Sequence, residues 1–539
     1  MSDVAHSAKT IHSREQKSRN VLLTGVTGFL GQALLERLLD NPNTTVHVLI
    51  RPRRGVSGQR RLAELLDNDA FAVWRERVGP AAVAHTLAHR LRVIEADLGA
   101  DLPDLPADLD LVLHSASLVT FDEPLDSAMA VNVGGPAGLY QALLRAGGDP
   151  HVIHVSTSYV NTERTAHAYE NSVEHDLDWR AELDGAARTR TQLERLSRLA
   201  EASALTGEDP MPATPAGREA WVRAQLRERG RSRAAELGWT DVYTLTKALG
   251  ERVAEELWAG SGHRLTILRP TIIESALARP FPGWLDGFKV ADPLIAAYAK
   301  GRLVGFPGQA ESIIDIVPVD IVVDTAAAAA ASPGLHGQAR YFQVGTGTSN
   351  PVTLGEVRQH VMEYFAEHPY TDRQGRPISP KPWQFSTPDQ LSAWSRRRRR
   401  ALTLAQRSLR LAPGIRSPRA RIRHSLAQLD VLDSYVQIYR SYTCASTTYD
   451  DRNTRALLAA HDPNGRNVTQ IEWRSYFQEV HLPRLVALMD SYRARSKNQR
   501  QLAAVSSADN GESAIPRSRP RREINHPRTS SVERSARSA

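Results

Sequence analysis

A single cysteine, Cys444, in a chain of 539 residues excludes an intramolecular disulfide framework and any cysteine-built zinc site. No apolar run approaches the roughly 20 residues needed to cross a bilayer. The opening stretch, MSDVAHSAKTIHSREQKSRN, lacks the apolar centre of a secretory signal. A reducing, cytoplasmic location is therefore expected.

Charge of one sign is also scarcer than the total implies. The net charge of +8 invites a nucleic-acid reading until it is mapped along the chain. Residues 493–539 hold 11 Lys/Arg against 4 Asp/Glu, and residues 396–423 hold 11 Arg and no acid, so the remaining body is acidic. Neither basic annex interleaves aromatics for base stacking, and no nucleic-acid partner is expected.

What is present is an alternation. NVLLTGVTGFLGQALLERLLD combines a short buried strand, a glycine turn and an amphipathic helix, with Leu34, Leu35, Leu38 and Leu39 at helical spacing. The runs TTVHVLIR, LRVIEADL, LDLVLHSAS, HVIHVSTSYV and RLTILRP follow, several of them separated by helical stretches. This pattern predicts an α/β fold: a doubly wound parallel sheet (Rossmann-like) with a smaller substrate-binding region and a mainly helical C-terminal domain. Such a sheet binds ligands at the carboxyl ends of its strands. The expected boundaries are a disordered tail at 1–19, the Rossmann-like domain at 20–275, a substrate-binding region with returning strands at 276–375, the C-terminal domain at 376–490 and a disordered basic tail at 491–539. A charged helical insertion at 162–240 interrupts the alternation, as either a lid or a solvated excursion.

Gly25, Gly28 and Gly31 recur every third residue between the first strand and its helix. Glycine there permits a tight turn and close approach of a dinucleotide pyrophosphate to the positive helix end. The second strand ends not in an acid for a ribose 2′-hydroxyl but in RPRRG, whose Arg51, Arg53 and Arg54 suit a 2′-phosphate, so NADPH is the expected cofactor. Asp97 follows the third strand, either to accept from the adenine amino group or to cap a turn. Ser115 and Ala116, in LHSAS, are small enough for the cofactor to lie against the backbone. Ser156, Thr157 and Ser158 end another strand, and one of them is expected to face the cleft holding Tyr243 and Lys247. Those two are four apart on a helical stretch, so phenol and ammonium share a face, and the cation favours the phenolate.

The succession TGVTGFLG, HVSTSYVN, YTLTK and LRPTIIESA resembles the extended short-chain dehydrogenase/reductase superfamily. Within it, RPTIIESALARPFPGWLDG, the long gap between Thr157 and Tyr243, and the paired TYDDRNTRALLAAHDP and IEWRSYFQEVHLPRL are similar to the fatty acyl-CoA reductases, over about residues 20–490. The resemblance implies Thr157, Tyr243 and Lys247 as the catalytic set, with Ser156 or Ser158 as the alternative hydroxyl. It implies a cofactor held by Thr24, Gly25, Thr27, Gly28, Phe29, Leu30 and Gly31 at the turn, by Arg51, Arg53, Asp97, Leu98, Ser115 and Ala116 along the strand ends, and by Tyr243, Lys247, Pro270, Thr271 and Ile272 at the reacting end.

The implied reaction is NADPH-dependent reduction of a long-chain fatty acyl-CoA to aldehyde and on to alcohol, with release of CoA. Direct hydride delivery is expected over an acyl-cysteine route, because Cys444 is remote from every cofactor motif. The rival enzyme is a relative acting on a nucleotide sugar or a steroid-like carbonyl; the rival non-enzyme is a cofactor-binding scaffold or a nucleic-acid binder. Residues 395–416, five consecutive arginines followed by leucines among further arginines, are either a solvated linker or a peripheral contact with lipid or with CoA.

Overall fold

The computed structural model describes residues 18–53, 55–162, 165–203, 214–303, 305–372, 374–410, 421–423, 425–427, 429, 433 and 447–509. Arg54, Cys444 and residues 411–416 of the basic segment lie outside them.

Seven strands form one sheet: β1 (Arg19–Thr24), β2 (Thr44–Leu49), β3 (Leu91–Ile94), β4 (Leu111–His114), β5 (His151–Val155), β6 (Leu265–Pro270) and β7 (Ala339–Val344). Their order is β7-β6-β5-β4-β1-β2-β3, parallel throughout. Strands β4, β5 and β6 are buried at every residue, so they lack the apolar-polar alternation of a strand with one face in water. The chain runs outward from β1 to β3 and then returns to β4 on the other side of β1. That reversal leaves a crevice beyond Thr24 and its register partner His114.

Helices cover both faces. On one, α2 (Gly135–Ala146) packs with α5 (Val242–Leu257), bringing Leu139, Tyr140, Leu245 and Leu249 against Leu22, Val112, Val152 and Ile267 of the sheet. On the other, α1 (Phe29–Leu39) pairs with α7 (Val319–Ala331) beside Leu111 and Leu113. Burying each such leucine stabilises the fold by about 1.5–3 kcal/mol.

The insertion contributes α3 (Trp179–Ser203) and α4 (Pro215–Leu237), joined by buried Leu193, Val222 and Leu226. Arg190 bridges Asp126 and Glu219, and Arg233 pairs with Glu182, so their charged faces are cross-linked rather than merely solvated. Beyond β6 come α6 (Asp292–Ala299), α8 (Leu354–Glu367), α9 (Pro388–Arg410) and α10 (Arg452–His461). The described residues divide into two compact units, one within residues 1–486 and one comprising 487–509, which belong to α11 (Leu482–Asp509). No helix among the described residues is long and apolar enough to cross a membrane.

Candidate active site

The turn between β1 and α1 admits little but glycine at two points. Gly25 has φ +75°, and a Cβ on it would stand 2.6 Å from the Ala116 nitrogen. A Cβ on Gly31 would fall 2.1 Å from the Gly25 carbonyl oxygen. Gly28 donates to that same carbonyl at 2.9 Å and caps α1 without a side chain. The first turn of α1 carries no acid, so its free N–H groups favour an anion. Thr24 stands apart from the other expected cofactor residues. It is fully buried, sharing a hydrogen bond with His114 Nδ1 at 2.8 Å and accepting from Ala116 N at 3.2 Å, so it supports the turn from behind.

At one end of the crevice, a pocket of about 260 Å³ is bordered by Thr27, Arg51, Arg53, Asp97, Leu98, Ser115 and Ala116. Arg51 lies 3.5 Å from Asp97, whose other oxygen accepts from Gly99 N at 3.2 Å, so Asp97 both closes its turn and orients an arginine. Arg61 completes this rim and donates to the Arg51 carbonyl. Sequence reasoning missed Arg61; its signal was a basic residue one turn into the helix that follows RPRRG. A glycine turn that a Cβ would fill, an open helix end and a rim of arginines together fit a dinucleotide.

The other end is built by β5 and α5. A reciprocal capping box, in which Asp241 accepts from Thr244 N at 2.8 Å, starts α5 and fixes where its first turn points. Tyr243 and Lys247 then project from successive turns into a cavity of about 570 Å³, which Gly25, Gly28, Phe29, Leu30, Gly31 and Ser115 border from the turn side. Tyr243 lies beside Thr157; burial raises its pKa and the neighbouring hydroxyl acts against the rise. Lys247 donates from Nζ to the Val155 carbonyl at 2.7 Å, and burial pushes it down to about 8 against the opposing charge of Glu251.

Among the three hydroxyls of the β5 end, Ser158 is committed to the Arg269 carbonyl at 2.7 Å. Ser156 lines the cavity with its Oγ unpartnered, while Thr157, whose hydroxyl donates to the Pro270 carbonyl at 3.4 Å, is the one beside the phenol.

Several supports of this end were invisible in the sequence. Glu251, one turn beyond Lys247, is held bidentately by Arg269 at 2.9 and 2.6 Å, wholly out of solvent. Asn132 accepts from Leu118 N at 2.8 Å and donates to Thr246 at 3.0 Å, tying the β4 loop to α5. Below the lysine, His114 and His154 sit with ring centroids 5.2 Å apart. Burial, and then the Lys247 charge, push His114 down to about 3 and His154 well below its ordinary value, so both are neutral.

The outer wall is apolar: Pro270, Ile272, Ile273, Phe288, Val290 and Pro293 line it, with Thr271. Phe121 meets the Tyr243 ring edge-on at 6.0 Å. Trp284 stacks on Phe29 at 4.8 Å, and the Lys289 ammonium lies 4.0 Å from the Phe29 ring centre. The stretch between these residues is clamped where Arg279 grips Glu36 of α1 and the Asp320 carboxylate accepts from the backbone of Leu277, Ala278 and Arg279.

A nucleotide-binding glycine turn and a Thr–Tyr–Lys set at the carboxyl edge of a doubly wound sheet define an NAD(P)-dependent oxidoreductase of the short-chain dehydrogenase/reductase type. Residues 23–326 match the male sterility protein family, and the chain belongs to it. It is 27% identical over 495 residues to fatty acyl-CoA reductase 1 of Arabidopsis thaliana, covering 87% of this chain and 97% of that protein. It is 26% identical over 503 residues to the alcohol-forming fatty acyl-CoA reductase of Simmondsia chinensis, with the same two coverages. The fold is shared with the terminal R domain from the myxalamid PKS-NRPS biosynthetic pathway, at a TM-score of 0.54 and 19% identity over 87% of this chain and 91% of that one.

Proposed function

We propose that the protein reduces a long-chain fatty acyl-CoA with NADPH, first to the aldehyde and then to the alcohol, releasing CoA. The observation that carries this reading is the meeting of Thr157, Tyr243 and Lys247 in one cavity whose far wall is apolar. The likeness to fatty acyl-CoA reductases supports the substrate class, and the alcohol-forming relative supports the endpoint.

Thr24 and the three glycines would hold the turn against the pyrophosphate, while Arg51, Arg53 and Arg61 would face the 2′-phosphate that distinguishes NADPH. Bound NADPH supplies the hydride. Thr157 and Tyr243 converge on the place where the substrate carbonyl oxygen gains charge, stabilising it by hydrogen bonds that strengthen as the charge develops. Tyr243, kept protonated by burial, gives its proton to that oxygen. One N–H of Lys247 is spent on Val155, which fixes the ammonium beneath the phenol and leaves two donors for ligand hydroxyls. From a thioester, collapse of the resulting hemithioacetal expels CoA thiolate, which takes up a proton. The aldehyde remains against the apolar wall and accepts the second reduction at the same oxygen-binding pair. A nucleotide-sugar substrate would present hydroxyls to Ile272, Ile273, Phe288 and Val290, which offer no side-chain partner.

The basic segment is proposed as a peripheral lipid contact. Along α9, Trp394 and Leu404 are exposed among Arg396, Arg397, Arg398, Arg400 and Arg407, a mixture suited to an anionic interface.

The functional test is stoichiometric. With a series of acyl-CoAs, two NADPH should be oxidised for each CoA released, and fatty alcohol should accumulate. One NADPH per CoA would stop the proposal at the aldehyde, and oxidation without CoA release would remove it.

A further inference from the structure

Outside the catalytic cavity, three ionisable side chains from distant parts of the chain converge in the interior: Glu274 just after β6, Asp292 at the start of α6, and His481 just before α11. Each is at most 3% exposed, and one ligand-capable atom of each lies within 4.8 Å of the others. Both oxygens of Glu274 and Oδ1 of Asp292 lack a hydrogen-bond partner, an expensive state for a buried carboxylate.

The protons around His481 can be counted. Tyr476 donates its hydroxyl hydrogen to the Ser275 carbonyl at 2.9 Å, so the 2.9 Å contact between the Ser275 and Tyr476 hydroxyls takes the Ser275 hydrogen. His481 Nδ1, 3.0 Å from the Ser275 oxygen, is then the donor of that bond. With the proton on Nδ1, Nε2 faces Asp292 Oδ1 at 3.2 Å, and Oδ1 accepts no hydrogen bond. The facing carboxylates call for a cation there, either a second proton on the imidazole or a metal ion. Ligand bonds of about 2.0 Å in tetrahedral array place neighbouring ligand atoms roughly 3.3 Å apart, close to this separation. The surroundings match the outer support of a metal site: Nδ1 anchored by a hydroxyl, and the second Asp292 oxygen held by the Lys289 backbone N–H at 2.7 Å.

We propose that Glu274, Asp292 and His481 bind one divalent transition-metal ion of the zinc class. The mixed imidazole and carboxylate set suits such an ion better than calcium or magnesium, which prefer all-oxygen cages. The site is closed, with no substrate in reach, and its role is structural. It clasps the segment ending at His481 to the wall residues Ile273, Lys289 and Pro293 that border the catalytic cavity.

Metal content measured on the full chain, purified without chelator, tests this independently of any activity. About one zinc-class ion per wild-type chain is expected. A strong chelator should remove it and lower the melting midpoint by several degrees, and added Zn²⁺ should restore both. Glu274→Gln should retain less than a fifth of the metal. A wild-type chain that is metal-free and takes up no Zn²⁺ would overturn the proposal in favour of a doubly protonated His481, and full metal retention by a folded Glu274→Gln would overturn the ligand set.

Discussion

Lys247 donates to the carbonyl of Val155 at 2.7 Å, and that single bond ties the catalytic helix α5 to the end of strand β5. Because the lysine is buried, its pKa is pushed down to about 8 from 10.5. The ammonium is the form that donates to ligand hydroxyls beneath Tyr243, so activity should be level below pH 8 and fall as pH rises through it. Stability should move the other way. Below pH 8 the folded and unfolded chains both carry the proton, and the fold bears the full desolvation cost; between 8 and 10.5 only the unfolded chain retains it, so this group's contribution improves with pH. His114 and His154, neutral in this range, add no step of their own. The profile of kcat/KM against pH checks the first claim; an increase through pH 8 would contradict it.

Arg51 and Arg53 border the pocket at the far end of the crevice from Tyr243. Replacing both with alanine should raise KM for NADPH at least tenfold, a loss of about 1.4 kcal/mol or more, while KM for NADH changes little, since only NADPH carries the 2′-phosphate. Equal weakening of both cofactors would make these arginines general surface charge.

On α9, neutralising Arg396, Arg397, Arg398 and Arg400 should weaken binding to anionic vesicles, with the largest difference at low salt. Turnover of a soluble short-chain acyl-CoA should be unchanged. A raised KM for every acyl-CoA with unaltered vesicle binding would assign the segment to CoA instead. No change in either would leave a linker.

The parts of the site legible in the sequence are those whose chemistry demands particular residue types at short spacing. Gly25 and Gly31 announce a turn because a Cβ does not fit there, and Tyr243 and Lys247 announce a shared helix face because they are one turn apart. Thr157 lies far from Tyr243 in sequence but ends a buried strand, and the parallel order of β5 and β6 brings that end toward α5. What remained hidden depends on packing between elements with no fixed spacing. Arg269 meets Glu251, Trp284 meets Phe29, and His481 meets Asp292 only after the sheet and its helices have assembled. The stretch 162–240 could be read as a charged helical insertion, but nothing in it showed that Leu193 would seat against Val222 and Leu226. Thr24 looked like a cofactor contact because it adjoins the glycine turn; its hydroxyl instead turns inward to His114.

The central claim is that Tyr243 is the proton donor of an acyl-CoA reduction carried out in this cavity. Tyr243→Phe preserves the ring that packs against Phe121 and removes only the hydroxyl, so kcat on acyl-CoA measured together with the dissociation constant for NADPH tests it most directly. The expected result is a kcat lower by about a hundredfold or more, with NADPH affinity within threefold of wild type. A folded variant that keeps kcat within threefold of wild type would contradict the account.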